Sequence, residues 1–171
     1  GVGKTTIARA VYHSIANEFE DSCFLANVRE GSEQHGGLVN LQNIILSKIL
    51  GGKELKVINV DEGINLLRQR LRNKRIMLIL DDVNKSDQLD TLAGAPNWFG
   101  RGSRIIVTTR DKRLLTVHEV KPIYKARELD HHEGCELFRS IGFKNKRILD
   151  DHEKHLVSTV VEYAQGLPLA L

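Results

Sequence analysis

The feature that most constrains this chain is a glycine-rich loop at residues 1–6, which read GVGKTT. Glycines allow backbone N–H groups to close around phosphate oxygens, and Lys4 adds a positive charge. Apolar residues recur at helical spacing over residues 7–15, so the loop lies at the N-terminus of a helix, whose dipole favours an anion. The loop therefore predicts a site for a nucleoside triphosphate.

A second feature is the apolar run at residues 76–80, which ends in Asp81 and Asp82. Such a run is typical of a buried parallel strand, and it places two carboxylates at the C-terminal tip, where open α/β sheets bind ligands. Carboxylate oxygens suit the magnesium ion that accompanies nucleotide phosphates. Together, the loop and the acidic strand predict a combined phosphate and magnesium site.

Alternating strand and helix patterns predict an α/β fold of the P-loop NTPase type, with a parallel sheet and helices on both faces. The predicted strands cover residues 23–28, 76–80, 104–109 and 123–126. The predicted helices cover residues 38–49 (ended by Gly51 and Gly52), a segment capped by Asn59 that runs to residue 71, and residues 85–93 and 113–118. A further strand is expected before Gly1 in the middle of the sheet, and without it two strands lack a hydrogen-bond partner.

From about residue 130 the pattern changes to helices alone. We therefore expect a nucleotide-binding domain at residues 1–129, lacking its N-terminal strand, and a truncated helical subdomain at residues 130–171. Two cysteines give no disulfide framework, and no apolar run of 18 residues predicts a membrane span. The net charge of +3 is too small to indicate a nucleic-acid partner.

Three further patterns resemble chemical sites. Residues 84–87 read NKSD, like the guanine-reading motif of GTPases, but they directly follow the acidic strand and so lie beside the magnesium rather than the base. Residues 152–155 read HEKH, whose histidines are three positions apart, whereas a zinc-binding helix needs four. Arg110 ends the strand at residues 104–109, where it can contact a γ-phosphate or pair with Asp111, and the pattern leaves both open.

Five blocks of the chain resemble the successive motifs of the NB-ARC domain of plant disease-resistance proteins. They are GVGKTT at residues 1–6, FLANVRE at 24–30, LILDDV at 78–83, GSRIIVTTRD at 102–111 and GLPLAL at 166–171. The blocks occur in family order and span the chain, so the resemblance is highly specific. Asn84 stands where members with an N-terminal coiled coil tend to have tryptophan, and this resembles the class that carries a Toll/interleukin-1-receptor-like (TIR) domain. Residues 130–171 would then be the first helical (ARC1-like) subdomain.

The resemblance implies ATP or ADP and Mg²⁺ as cofactors. Lys4 would hold the β- and γ-phosphates, and Pro168 would pack near the adenine of ADP. Thr5 would ligate the metal, and Asp81 would hold it through water. The nucleotide-binding residues implied in this way are Gly1, Val2, Gly3, Lys4, Thr5, Thr6, Arg110 and Pro168.

The resemblance also implies a regulatory cycle. Asp82 would be the catalytic base that orients the attacking water, and Arg110 would sense the γ-phosphate. ADP would hold a resting state and ATP an active one, with slow hydrolysis as a weak regulatory ATPase. Two alternatives stay open: a nucleotide-binding module with structural ADP and no functional hydrolysis, and a P-loop kinase, for which the sequence shows no cluster of arginines between the strands.

In the longer protein the resemblance implies TIR and leucine-rich-repeat domains in the same chain. It also implies self-association on activation and a cytoplasmic or nuclear location. Neither nucleic acid nor a membrane span is expected.

Overall fold

The computed structural model describes residues 1–51, 56–142 and 150–171. The chain divides into two compact units, one comprising Thr5–Ile123 and a smaller one that combines Gly1–Lys4 with Tyr124–Leu171. The division into domains at residues 1–129 and 130–171 stays a prediction.

A three-stranded parallel sheet lies at the centre of the unit Thr5–Ile123. Its strands, in the spatial order β1-β2-β3, are β1 (Asp21–Leu25), β2 (Ile76–Val83) and β3 (Arg104–Thr109). All pairs are parallel, so the three carboxyl ends meet at one edge of the sheet. The predicted α/β fold with a parallel sheet is confirmed.

The other regular elements of the described residues are helices. No helix in this part of the chain is long and apolar enough to cross a membrane. The α-helices are α1 (Lys4–Ile15), α2 (Val28–Glu33), α3 (Gly37–Ile49), α4 (Val60–Leu71), α5 (Ser86–Ala93), α6 (Lys112–Val117), α7 (His131–Gly142) and α8 (Asp151–Ala164), and 3₁₀ turns lie at Ala16–Glu18, Pro96–Trp98 and Pro168–Ala170.

The central strand β2 carries both hydrophobic cores of this unit, because its side chains alternate between the two faces of the sheet. Ile76, Leu78 and Leu80 pack on the face covered by α3 and α4. Met77 and Ile79 pack on the opposite face, against Ala8 and its neighbours in α1. All five of these side chains are fully buried. Burial on both faces explains the continuous apolar run that precedes the two carboxylates.

The predicted helices at residues 38–49 and from Asn59 to residue 71 are confirmed as α3 and α4. The Asn59 side chain accepts a hydrogen bond from the backbone N–H of Glu62 at 2.8 Å, and Glu62 Oε2 accepts one from the N–H of Ile58 at 3.0 Å. Both bonds satisfy backbone donors at a helix start. Gly51 follows the end of α3 with a positive φ of 65°, and Gly52 lies outside the described residues.

The predicted strand at residues 23–28 is wrong at its C-terminal end. Strand β1 stops at Leu25, and Val28 begins α2. The cause is Asn27, which has φ 52° and ψ 47° in the left-handed region. Asparagine tolerates this conformation better than most residues, and it turns the chain out of the sheet. The rest of the FLANVRE block therefore forms a short helix beside the carboxyl end of the sheet.

The predicted strand at residues 123–126 is not present in the structure. Ile123 and Tyr124 are 38% and 75% exposed, so neither is buried against a sheet. The prediction rests on the apolar composition of this segment alone. A strand also needs a neighbouring strand that completes its backbone hydrogen bonds, and residues 123–126 have none in the described part of the chain.

The expected gap in the middle of the sheet is also absent. Strands β2 and β3 hydrogen-bond directly to each other, with Leu78 opposite Ile105 and Leu80 opposite Val107. Buried backbone N–H and C=O groups are costly when unpaired, and two parallel edges that face each other can satisfy them. The register shifts between Leu80 and Val83, which is where the acidic pair lies.

The two cysteines are both free thiols. Cys23 lies fully buried in β1, where burial raises the pKa of its thiol to about 11 and Lys48 opposes the shift. Cys23 is therefore a neutral core residue near physiological pH, because the thiolate is the reactive form.

Candidate nucleotide-binding site

The two aspartates at the tip of β2 have different surroundings, and Asp81 is the buried one, with 1% of its surface exposed. The Thr5 hydroxyl lies 2.9 Å and 3.1 Å from its two carboxylate oxygens. The Thr108 hydroxyl donates to Asp81 Oδ1 at 2.6 Å. The structure therefore brings together Thr5 and Asp81, the two residues predicted from the resemblance to hold the metal. Both offer oxygen atoms, which are the ligands that Mg²⁺ prefers.

The second aspartate, Asp82, points away from this buried cluster. Its backbone is in the left-handed region, with φ 59°, and its N–H donates to the Thr108 hydroxyl at 2.9 Å. Its carboxylate is 26% exposed and lies 3.0 Å from Arg29 Nη2 and 3.9 Å from Arg110 Nε. A left-handed aspartate is uncommon but tolerated, and here it separates the directions of two adjacent carboxylates.

Arg110 follows β3, and its nearest acidic partner is Asp82 rather than Asp111. The Asp111 carboxylate instead accepts the N–H of Arg113 at 2.9 Å and caps α6, and Arg113 Nε lies 3.4 Å away. Of the two interpretations that the sequence left open, the pairing of Arg110 with Asp111 is not observed. The guanidinium of Arg110 is 76% exposed at the carboxyl edge of the sheet.

A cavity of about 330 Å³ opens at this edge, beside Asp82. It is lined by three arginines, Arg29, Arg110 and Arg113, and by the carboxylates of Asp82 and Asp111. The cavity therefore carries a cluster of three arginines. Arg29 comes from α2, Arg110 from the end of β3 and Arg113 from α6, so the cluster forms only when the sheet is assembled.

The first four residues of the glycine-rich loop, Gly1–Lys4, belong to the smaller unit. There they lie beside the GLPLAL segment. Gly3 has φ 81°, and a Cβ built on it would lie 3.9 Å from Pro168 Cγ. A Cβ on Gly1 would lie 3.0 Å from Leu169 Cδ1. Helix α1 begins at Lys4, so the loop stands at a helix N-terminus as predicted. Two more of the predicted nucleotide-binding residues lie in this segment. Val2 is half-buried and Thr6 is exposed.

The sequence did not predict the roles of two residues at this edge, Thr108 and Arg29. Thr108 bonds Asp81 and the backbone of Asp82, and Arg29 pairs with Asp82. Thr108 carried one usable signal, a polar residue at the end of an apolar strand whose carboxyl end meets that of β2. Arg29 carried none, because the left-handed turn at Asn27 that directs α2 toward β2 is not visible in the residue pattern.

The sequence of residues 1–148 matches the NB-ARC domain. The chain belongs to the NB-ARC family. Its relatives include disease resistance protein RPV1 of Vitis rotundifolia (42% identical over 172 residues), TMV resistance protein N of Nicotiana glutinosa (40% over 178 residues) and disease resistance protein RUN1 of Vitis rotundifolia (41% over 172 residues). Each alignment covers all of this chain but only 12%, 15% and 13% of those relatives.

Membership of the NB-ARC family confirms the resemblance that the five motifs indicated. NB-ARC is a nucleotide-binding domain, which supports a nucleotide as the ligand of the glycine-rich loop. Because the chain spans only 12–15% of these three relatives, the activity and partners of the whole protein are matters for proposal.

The double role of Thr108 gives a stability prediction. Thr108→Val leaves Asp81 Oδ1 and the N–H of Asp82 without this partner, and it should lower the free energy of unfolding by about 1–3 kcal/mol. Thr108→Ser keeps the hydroxyl and should cost less than about 1 kcal/mol, the value of one buried methyl group. Denaturant unfolding of a polypeptide that contains the complete domain measures both. Equal stabilities for the two variants would show that the hydroxyl contributes nothing.

Proposed function

We propose that this NB-ARC domain is the ATP/ADP switch of a plant intracellular immune receptor, resting with ADP and active with ATP. The observation that carries the proposal is the pair of divergent carboxylates at the tip of β2. Asp81 bonds a residue of the phosphate loop, and Asp82 faces the arginine that ends β3. A site that both binds a nucleotide and distinguishes its phosphates needs these two functions side by side.

The loop and the buried cluster supply nucleotide binding in this proposal. Backbone N–H groups of residues 1–6 and the Lys4 ammonium bind the phosphates, and Pro168 packs near the adenine. Thr5 and Asp81 hold Mg²⁺, which neutralises phosphate charge when it is bound. No group of three or more histidine, cysteine, aspartate or glutamate side chains that could bind a metal lies within residues 1–51, 56–142 and 150–171.

Asp82 and Arg110 supply the response to the γ-phosphate. Asp82 orients the attacking water and accepts its proton, and Arg110 contacts the γ-phosphate and reports its presence. The exposure of Arg110 and its 3.9 Å separation from Asp82 support this role, because the guanidinium is held only loosely and can reach a new anion. A ligand shifts a two-state equilibrium only through contacts that differ between the states, and Arg110 offers one.

The wider setting is proposed from the relatives, three of which are named as resistance proteins. We infer a receptor of the TIR class, with leucine-rich repeats in the same chain and self-association in the ATP state. We place it in the cytoplasm or the nucleus. Opening of the domain on exchange of ADP for ATP would expose the surfaces that associate.

Replacement of Lys4 tests nucleotide binding. In the full-length polypeptide, Lys4→Ala should weaken ADP binding by about 1.5–3 kcal/mol, because a charge-assisted contact to phosphate is lost. Lys154→Ala is the matched control, since Lys154 pairs only locally with Asp151 on α8. Isothermal titration calorimetry measures both. Unchanged ADP affinity in Lys4→Ala would rule out the phosphate-loop role.

The two aspartates should separate by role. Asp82→Asn keeps the shape of the side chain but removes the base, so phosphate release should fall at least about tenfold while ATP stays bound. Asp81→Asn should instead weaken ATP binding in the presence of Mg²⁺, because the metal loses a charged partner. Phosphate release and nucleotide affinity, measured on the same full-length variants, distinguish the two effects. Normal turnover in Asp82→Asn would exclude Asp82 as the base.

Arg110 should affect the choice between nucleotides. Arg110→Ala should reduce the preference for ATP over ADP by about tenfold and leave ADP affinity nearly unchanged, because only the γ-phosphate would contact this guanidinium. Arg113→Ala is the control, since Arg113 lines the same cavity but faces Asp111. Competition binding with labelled ADP measures both affinities. Equal losses for ATP and ADP would indicate a structural arginine.

A further inference from the structure

The Asp82 carboxylate is not free in this structure. Its Oδ2 lies 3.0 Å from Arg29 Nη2, and its Oδ1 faces Arg110 at 3.9 Å. A carboxylate that is paired with a guanidinium is drawn toward that cation, so its oxygens are less available to a water molecule. The residue proposed to orient the attacking water is therefore held by Arg29, a residue of the FLANVRE block to which the resemblance assigns no role in nucleotide binding or hydrolysis.

The backbone of Arg29 is held in place by a partly buried hydrogen-bond network. The Ser32 hydroxyl donates to the backbone carbonyl of Arg29 at 2.8 Å and accepts from Gln88 Nε2 at 2.7 Å. Gln88 is fully buried in α5, and its Oε1 accepts the backbone N–H groups of Asn84 and Lys85 at 2.9 Å and 3.2 Å. One glutamine thus ties α2 to the segment that directly follows the acidic pair.

Asp82 is fixed from the opposite side. Its left-handed backbone and its N–H bond to the Thr108 hydroxyl set where its carboxylate points. Because Gln88 fixes α2 and Thr108 fixes Asp82, the contact between Arg29 and Asp82 joins two anchored groups. A pair of this kind loses less side-chain entropy than a contact between two mobile surface residues.

We infer that Arg29 is a positioning residue that restrains Asp82, so that α2 slows hydrolysis and prolongs the ATP state. The inference rests on the proposed function, in which Asp82 orients the water. Arg110, with 76% of its side chain exposed against 42% for Arg29, is the looser partner and the one that a γ-phosphate can draw away. Arg29 would then be the contact that still holds Asp82 when ATP is bound.

The test compares variants of the full-length polypeptide at saturating ATP and Mg²⁺. Arg29→Ala should raise the single-turnover rate of phosphate release by about two- to fivefold, the factor that a partly exposed ion pair gives. ADP affinity should change by less than about twofold, because Arg29 is not expected to touch ADP. Arg29→Gln keeps most of the side-chain length without the charge, and it should raise the rate by a similar factor. It replaces Arg29→Ala in the test if Arg29→Ala does not fold. Arg29→Lys should stay near the wild-type rate.

Arg113→Ala is the matched control, because it removes the same charge from the same cavity without touching Asp82. Its rate of phosphate release should equal that of the wild type. In an Asp82→Asn background, Arg29→Ala should change the rate no further, a coupling that general loosening of α2 would not give.

An unchanged or lower rate in both Arg29→Ala and Arg29→Gln, with normal ADP binding, would overturn the restraint. A higher rate that persists in the Asp82→Asn background would also overturn it, because the effect would not pass through Asp82. Failure of the wild-type protein to bind ADP would instead overturn the proposed function, and with it this inference, before any variant is compared.

Discussion

The interaction on which the rest of the site depends is the buried carboxylate of Asp81 between the hydroxyls of Thr5 and Thr108. It links the helix that follows the phosphate loop, the central strand β2 and the strand β3. A buried carboxylate is costly unless it is hydrogen-bonded or paired with a cation, so both hydroxyls stabilise it and a bound Mg²⁺ would add to them. Because Thr108 also accepts the N–H of Asp82, the same cluster sets the direction of the second carboxylate.

Much of the fold follows from the sequence, because local patterns and burial agree there. β2 begins with five apolar residues that are buried on two faces. Helices α3 and α4 have regular apolar stripes, and α4 has a side-chain cap at Asn59. The wrong predictions concern places where a single backbone conformation or a distant partner decides. The left-handed turn at Asn27 ended β1 early, and residues 123–126 lack the neighbour that a strand requires. The direct pairing of β2 with β3 likewise depends on contacts between distant segments.

The candidate site divides in the same way. Thr5 and Asp81 could be predicted as partners because each belongs to a motif with a known spacing relative to phosphate and metal. Thr108 and Arg29 could not, because their roles come from register and from the placement of α2. The arginine cluster could not be predicted for the same reason, since Arg29 lies far before Arg110 and Arg113 in the sequence and joins them only at the sheet edge. The sequence motifs therefore predict the ligand, whereas the residues that surround Asp82 can be identified only from the assembled sheet.

The most direct test of the switch is to identify the nucleotide bound to the full-length protein and to follow its exchange. Nucleotide released by acid from purified resting protein should be ADP, at about one molecule per chain. Incubation with ATP and Mg²⁺ should replace it with ATP, which then returns slowly to ADP with release of phosphate. ADP that never exchanges would indicate a structural ligand, and protein that holds neither nucleotide would contradict the switch altogether.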